Sequence, residues 1–163
     1  MKLIARYWQP VAIASLAVAV AFLVARLPIR YEQTDIDVAV EDVARWALQN
    51  RPIRNCDLPP QNFMQIRNGT AVISFVDCKV PNPVDFERSL GDIKYVGNYR
   101  SVFEEFGFDG HFYVTVEKVA ESESCFHIEV IVGVGPMGGI GYEFCFWNTA
   151  LGRRCTVRQS FTS

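Results

Sequence analysis

The C-terminal part of the chain alternates apolar and polar residues through four successive segments. Their apolar members recur with a period of two: Phe112, Val114 and Val116; Phe126, Ile128, Val130 and Val132; Ile140, Tyr142, Phe144 and Phe146; Cys155, Val157 and Phe161. Because successive side chains of a β-strand point to opposite faces, this period predicts four strands that share one apolar face. The turn sequences AESES, GVGPM and NTALGR separate the segments, so the strands are expected to form an antiparallel meander.

A sheet with one apolar face needs a second layer to cover it. Residues 35–50 carry apolar side chains at helical spacing, with Thr34 and Asp37 as a predicted N-terminal cap. Asn68-Gly69 predicts a further β-hairpin ahead of the meander, and two shorter helices are predicted at residues 82–90 and 101–106. The predicted fold class is α+β: a single N-terminal transmembrane helix, then an antiparallel sheet of a four-strand meander plus a hairpin, packed against the amphipathic helix.

The N-terminal apolar run predicts the membrane helix. Residues 11–27 hold one serine and one arginine among apolar residues, and Tyr7 and Trp8 precede them. About 20 apolar residues span a bilayer core, and aromatic residues favour its interfaces. We therefore expect a cytoplasmic segment at residues 1–6, a transmembrane anchor at 7–27, a tether at 28–34 and an extracytoplasmic α+β domain at 35–163.

A cleaved signal peptide is the alternative for this segment, because it also begins with basic residues and continues with an apolar run. The best small-residue cleavage site, Ala19-Val20-Ala21, lies inside the apolar run rather than at its end. An uncleaved anchor is favoured, and cleavage stays open.

The five cysteines are unevenly spaced and form no C-x-x-C pair, which favours disulfides in an oxidising compartment over a zinc ribbon. The alternative is that they are small buried apolar residues. Cys125 and Cys145 share the polar strand face and are the first predicted disulfide. Cys56 and Cys78 are the second, and Cys155, on the apolar face, is expected to be a buried free thiol.

Gly133, Gly135 and Gly138 match the G-x-G-x-x-G spacing of dinucleotide-binding loops. Such a loop requires a helix after its last glycine and an acidic residue about 20 positions later. Here Gly139 and Gly141 are followed by strand-forming aromatic residues. The segment is therefore predicted to be a turn between two strands, and no cofactor is expected.

The polar face of the meander holds the ionisable residues that could carry chemistry. If the hairpin turns about Gly135, His127 lies opposite Glu143, and one row across the sheet contains Glu117, His127, Glu143 and Arg158. A histidine between two carboxylates could serve as a general base or as part of a metal site. An exposed ladder of charged pairs is favoured instead, so no catalytic, cofactor-binding or metal residue is predicted.

The net charge of -2 and the lack of any Lys/Arg-rich run exclude nucleic acid as the main partner. We expect a non-enzymatic, membrane-anchored binding or assembly module that is a subunit or scaffold of a cell-envelope complex. Its expected partners are the membrane, through residues 7–27, and other envelope proteins, and a homo-oligomer stays open. The alternative is a small-ligand or hydrolytic domain with a pocket between helix and sheet that uses His127, Glu117 and Glu143.

Overall fold

A computed structural model describes residues 2–59, 71–79, 81, 94–95, 104, 112–134 and 139–162. Its elements are two helices and six strands, which confirms a mixed α+β fold. They are α1 (Lys2–Val24), α2 (Gln33–Gln49), β1 (Ala71–Val76), β2 (Lys94–Tyr95), β3 (Phe112–Glu121), β4 (Phe126–Val134), β5 (Gly139–Thr149) and β6 (Gly152–Thr162). Within the described residues, no helix combines the length and the hydropathy of a membrane span.

The strands form one sheet in the order β2-β1-β3-β4-β5-β6. Strands β3 to β6 are antiparallel neighbours, as the alternating pattern predicts. Strand β1 runs parallel to both β2 and β3, so the prediction of a wholly antiparallel sheet is wrong at this edge. Residues 77–111 separate β1 from β3, and a connection longer than about a dozen residues allows a parallel crossover.

The predicted hairpin turn at Asn68-Gly69 and the predicted helix at 82–90 lie outside the described residues. Of the predicted helix at 101–106, the structure describes Glu104 alone, which is helical.

Helix α2 packs across the apolar face of the sheet. Its buried residues include Val40, Val43 and Trp46, and the Trp46 ring makes edge contacts with Tyr142 and Phe144 at centroid distances of 5.3 and 5.0 Å. The predicted apolar positions of the four strands supply the other half of this core: Val114, Val116, Phe126, Ile128, Val130, Val132, Tyr142, Phe144, Phe146 and Cys155 are all buried. The predicted cover of the sheet by this helix is confirmed.

The N-terminal cap of α2 differs from the predicted one. The helix begins at Gln33, and Glu32 and Asp35 form its capping box, in which the Glu32 amide donates to Asp35 Oδ2 over 2.8 Å. The predicted cap of Thr34 and Asp37 is wrong because the helix starts earlier and includes both residues. At the other end Asn50 is in the left-handed conformation (φ 57°) and donates its amide to the Trp46 carbonyl.

The segment between the two helices is attached to the sheet at two points. The Ile29 amide donates to the Asn148 carbonyl over 2.8 Å, and the Tyr31 hydroxyl donates to the Ser122 carbonyl over 2.6 Å. The Tyr31 ring also packs edge-on against Phe126. The predicted tether is thus part of the folded domain.

A disulfide joins Cys56 to Cys155, so the predicted Cys56–Cys78 pair and the predicted free thiol at Cys155 are both wrong. Helix α2 crosses the sheet and delivers the following loop beside β6, where the Cys155 amide donates to the Asn55 carbonyl. Cys78 follows β1, which lies four strand spacings from β6, or about 19 Å. A disulfide needs Cα atoms no more than about 7 Å apart, and those of Cys56 and Cys155 are 4.8 Å apart.

We expect the Cys155→Ser substitution to lower the free energy of unfolding by about 2–4 kcal/mol, because the disulfide closes a long loop in the unfolded chain. Urea unfolding of the full chain, followed by tryptophan fluorescence, measures the loss. Cys78→Ser is the matched control, since this thiol is outside the disulfide and should change stability less. Non-reducing peptide mapping that recovers a Cys56–Cys78 peptide would contradict the pairing.

Candidate functional site

The ionisable side chains of the meander lie on the sheet face opposite α2, called the outer face below. Phe126, Ile128, Phe144 and Phe146 point into the core, so the alternating residues of the same strands point outward. His127 and Cys145 are among these outward residues and are half-buried. The helix therefore covers the apolar face, and the polar face lies on the opposite side of the sheet.

The pairing of β4 with β5 brings His127 opposite Cys145 and Glu129 opposite Glu143. The predicted pairs, His127 with Glu143 and Cys125 with Cys145, are wrong by two positions because the connecting turn is centred one residue later than Gly135. The glycine-rich segment nevertheless connects two antiparallel strands, with Gly133 opposite Gly139, as predicted. A shift of two keeps every side chain on its expected face.

The pairing of β5 with β6 places Glu143 opposite Arg158, as predicted. It also places Trp147 opposite Arg154. Pairing continues to Thr149 opposite Gly152, so the turn between these strands is tight.

Glu117 does not join the histidine. It lies opposite Glu129, and a register irregularity between Lys118 and Ala120 then places Ala120 opposite His127. The predicted four-residue row is therefore wrong at Glu117, because the β3–β4 turn pairs Glu121 with Phe126 and so brings Ala120 rather than Glu117 to His127. The structure brings together His127, Glu143 and Arg158.

Those three side chains form a hydrogen-bonded series. His127 Nδ1 lies 2.7 Å from Glu143 Oε1, and Arg158 donates to Glu143 Oε2 from Nε at 2.8 Å and from Nη2 at 2.5 Å. The Arg158 hydrogen bonds, followed by that of His127, hold the pKa of the Glu143 carboxyl below its usual value, while desolvation opposes them. An ionised carboxylate only accepts, so His127 Nδ1 carries a proton and donates it to Glu143.

Two thiols lie next to the other side of the imidazole. The Sγ atoms of Cys125 and Cys145 and a ring nitrogen of His127 all lie within 4.8 Å of one another, and Cys125 Sγ is 3.9 Å from His127 Nε2. The sulfur atoms are not bonded to each other, so the predicted Cys125–Cys145 disulfide is absent. Its physical reason is the register, which makes Cys145 the partner of His127 rather than of Cys125.

The β3–β4 turn positions Cys125. The Ser122 amide donates to the Cys125 carbonyl over 2.8 Å, the Cys125 amide donates to Ser122 Oγ over 3.2 Å, and Ser122 Oγ lies 3.2 Å from Cys125 Sγ. Tyr31 holds the same turn through the Ser122 carbonyl. The thiol that precedes β4 is thus fixed by two layers of hydrogen bonds.

The Cys145 thiol is less acidic than an ordinary cysteine thiol. Burial, together with the neighbouring Cys125 thiol and Glu143, raises the pKa of Cys145 to about 11. It is therefore protonated at neutral pH unless an electrophile or a metal ion displaces the proton.

The cluster of Cys125, His127 and Cys145, called the thiol–imidazole cluster below, admits two kinds of chemistry. The first is nucleophilic catalysis, in which a cysteine thiol lies beside an imidazole base whose other nitrogen is hydrogen-bonded to a carboxylate. Two thiols and one imidazole are also a ligand set for a metal ion. The second sulfur is an extra group for the first chemistry and a required ligand for the second.

The site does not lie in a pocket between helix and sheet. Glu117, His127 and Glu143 are on strand positions that alternate with the core residues beneath α2. Two surface clefts border the tether instead: one is lined mainly by residues 28–31 and 121–124, the other by residues 54–55 and 148–149 together with their neighbours. The three residues of the alternative line neither of them.

Sequence reasoning missed this cluster because it looked for C-x-x-C spacing. The signal was Cys125-Phe126-His127, in which a cysteine and a histidine two positions apart share one strand face. The third member of the cluster, Cys145, could be found only with the correct register of the next strand.

Comparison of the chain with protein families, with curated proteins and with solved structures finds no match. The interpretation of the site therefore depends on its own geometry.

We expect the Glu143 carboxyl to titrate below the ordinary glutamate pKa of 4.5, and the Arg158→Ala substitution to raise its pKa. Since the folded-state pKa is the lower one, the pair stabilises the fold at neutral pH and loses this effect as the pH falls through the folded pKa. Arg158 is 76% exposed, so the contribution is about 0.2–1 kcal/mol. Carboxyl ¹³C shifts followed against pH measure the titration.

Arg154→Ala is the matched control for this titration, because Arg154 is on the same strand but pairs with Trp147. It should leave the Glu143 pKa unchanged. A Glu143 pKa at or above 4.5 in the unsubstituted protein would contradict the hydrogen-bonded series.

Proposed function

We propose that this protein is a single-pass membrane protein whose extracytoplasmic α+β domain is a binding or assembly module of a cell-envelope complex. The observation that carries the proposal is the exposure of apolar side chains along α1. From residue 11 to residue 24 its large apolar side chains are between 50% and 69% exposed: Val11, Ile13, Leu16, Val18, Val20, Phe22, Leu23 and Val24. A helix that is apolar all round belongs in an apolar environment.

The length of α1 also supports a membrane position. It has 23 residues, which at 1.5 Å per residue gives about 34 Å, against about 30 Å for a bilayer core. Arg26 follows the helix, and its guanidinium lies 4.3 Å from the centre of the Phe22 ring. A cation at this point can reach the lipid headgroups while its stem stays on apolar surface.

The Cys56–Cys155 disulfide supports an extracytoplasmic position for the domain, because disulfides persist in oxidising compartments. The membrane helix would then enter with its N-terminus on the cytoplasmic side. We assign to the tether the role of keeping the domain close to the membrane, because Ile29 and Tyr31 attach it to the domain by hydrogen bonds.

A binding role is favoured over the hydrolytic alternative by the position of the polar side chains. His127 and Glu143 belong to an outer face with ion pairs and exposed β6 residues, Thr156 and Arg158 among them. A face of this kind suits contact with another protein, whereas a hydrolase places its polar groups in a concave pocket. The partner is expected to be another envelope protein, with self-association as the remaining option.

We expect the full chain to stay with the membrane pellet after alkaline carbonate extraction. Leu16→Arg should shift a large part of it to the supernatant, because a charged residue at the centre of a membrane helix costs about 2.5–3.5 kcal/mol. Leu16→Val is the matched control and should remain in the pellet. Release of the unsubstituted chain, or a mature N-terminus beyond Ala21, would contradict the anchor.

The binding role is tested by purifying the full chain from crosslinked membranes. We expect a second envelope protein to be recovered with it in a fixed ratio. The reciprocal purification, with the tag on that second protein, should recover this chain. A chain purified alone that hydrolyses ester or peptide substrates, with the activity lost in His127→Ala, would instead establish the hydrolytic alternative.

A further inference from the structure

We propose that Cys125, His127 and Cys145 bind one thiophilic metal ion, Zn²⁺ or Cu(I), through their two Sγ atoms and His127 Nε2. The inference goes beyond the binding role proposed above and does not depend on the membrane anchor. It rests on the positions of the donor atoms, on their chemistry and on the side chains that orient them.

The donor atoms are already close to the separations that one ion requires. Zn–S bonds of about 2.3 Å and Zn–N bonds of about 2.0 Å place the donors of one ion roughly 3.5–4 Å apart. Cys125 Sγ and His127 Nε2 are 3.9 Å apart, and all three donors lie within 4.8 Å of one another. Small side-chain rotations, with no change of backbone register, are enough to close the site.

The donor types select the class of metal. Cysteine sulfur with imidazole nitrogen is a ligand set for Zn²⁺ and Cu(I), whereas Ca²⁺ and Mg²⁺ take oxygen ligands. When a divalent ion binds, each thiol gives up its proton to solvent and becomes a thiolate. Two thiolates then balance the two positive charges of Zn²⁺, and the neighbouring Glu143 is balanced by Arg158.

His127 is oriented as a metal-bound histidine usually is. Its Nδ1 donates to Glu143 Oε1 over 2.7 Å, which leaves the lone pair of Nε2 on the side of the thiols. Histidine ligands commonly donate their second ring nitrogen to a carboxylate, which fixes the tautomer and raises ligand basicity. Glu143 is a positioning residue in this arrangement, and Arg158 holds it in turn through two hydrogen bonds.

The three ligands sit on a rigid support. His127 and Cys145 are a directly opposed pair in the middle of the meander, and Cys125 is held by the Ser122 turn. All three side chains are half-buried on the outer face. Three protein ligands leave a fourth position of Zn²⁺ for a further donor, as in catalytic zinc sites.

The test uses the full chain, purified without oxygen and without added metal or chelator. Zn²⁺ and Cu(I) are each titrated against a chromophoric chelator of known affinity, and bound metal is counted by mass spectrometry. We expect one equivalent of one of these ions per chain. Co²⁺ added as a spectroscopic probe should produce a thiolate-to-metal charge-transfer band.

Variants assign the ligands. Cys125→Ser, Cys145→Ser and His127→Ala should each weaken binding at least 100-fold, and Glu143→Gln should weaken it about 10–100-fold. Cys78→Ser is the matched control, because Cys78 is the third free thiol and its Sγ contacts the Val116 carbonyl away from the cluster; it should bind as the unsubstituted chain does. Circular dichroism confirms that each variant is folded.

Three outcomes would overturn the metal site. The first is that the unsubstituted chain binds Zn²⁺ and Cu(I) no more tightly than folded Cys125→Ser does. The second is that Cys78→Ser loses as much metal affinity as the ligand variants do. The third is a Cys125–Cys145 disulfide in chain isolated from membranes without oxygen, which would make the two thiols a redox pair instead of metal ligands.

Discussion

Helix α2 packs across one face of the sheet, and this packing decides which side chains of the meander point into the core. Among the described residues of the domain, α2 is the amphipathic helix that is long enough to cover the sheet. The Trp46 ring holds it in place by edge contacts with Tyr142 and Phe144. The buried apolar residues of the meander lie on this side. The alternating residues must then point away from the helix, and they form the outer face with its thiols, imidazole and ion pairs.

The same packing explains the disulfide. Because α2 covers the apolar face of the sheet, the loop that follows it brings Cys56 to the apolar-face residue Cys155. The bond joins the layer that covers the core to the last strand of the sheet. The remaining thiols are left for other roles, and two of them, Cys125 and Cys145, lie next to His127.

The face of each strand residue could be predicted from the sequence, whereas the predicted cross-strand partners were right for β5 with β6 and wrong for β3 with β4 and for β4 with β5. The period of two assigned His127, Glu143 and Cys145 to one face and Cys155 to the other, and the structure agrees. Cross-strand partners depend on where a turn is centred, and Gly135 and its neighbours allow more than one centre. The shift by two moved Glu143 from a position opposite His127 to a diagonal one, which long side chains can still bridge.

Pairings between segments that are far apart in the sequence could not be predicted from local sequence patterns. The parallel direction of β1 is set by its crossover to β3, which the residues of β1 do not reveal. The predicted Cys56–Cys78 pair is wrong because the order of the strands in the sheet, rather than nearness in sequence, sets the distance between two cysteines. The α2 cap at Glu32 was missed because serine and threonine are the usual signals, whereas here two carboxylates form it. The thiol–imidazole cluster could be predicted only if the strand register and the positions of both neighbouring turns were known together.

Cross-strand backbone NOEs of the isotopically labelled full chain show whether a single register of β4 and β5 brings the outer-face side chains together. The structure predicts NOEs that pair His127 with Cys145 and Glu129 with Glu143. NOEs that pair His127 with Glu143 would place the strands two residues away from this register. That result would separate the Cys145 thiol from the imidazole and contradict the account.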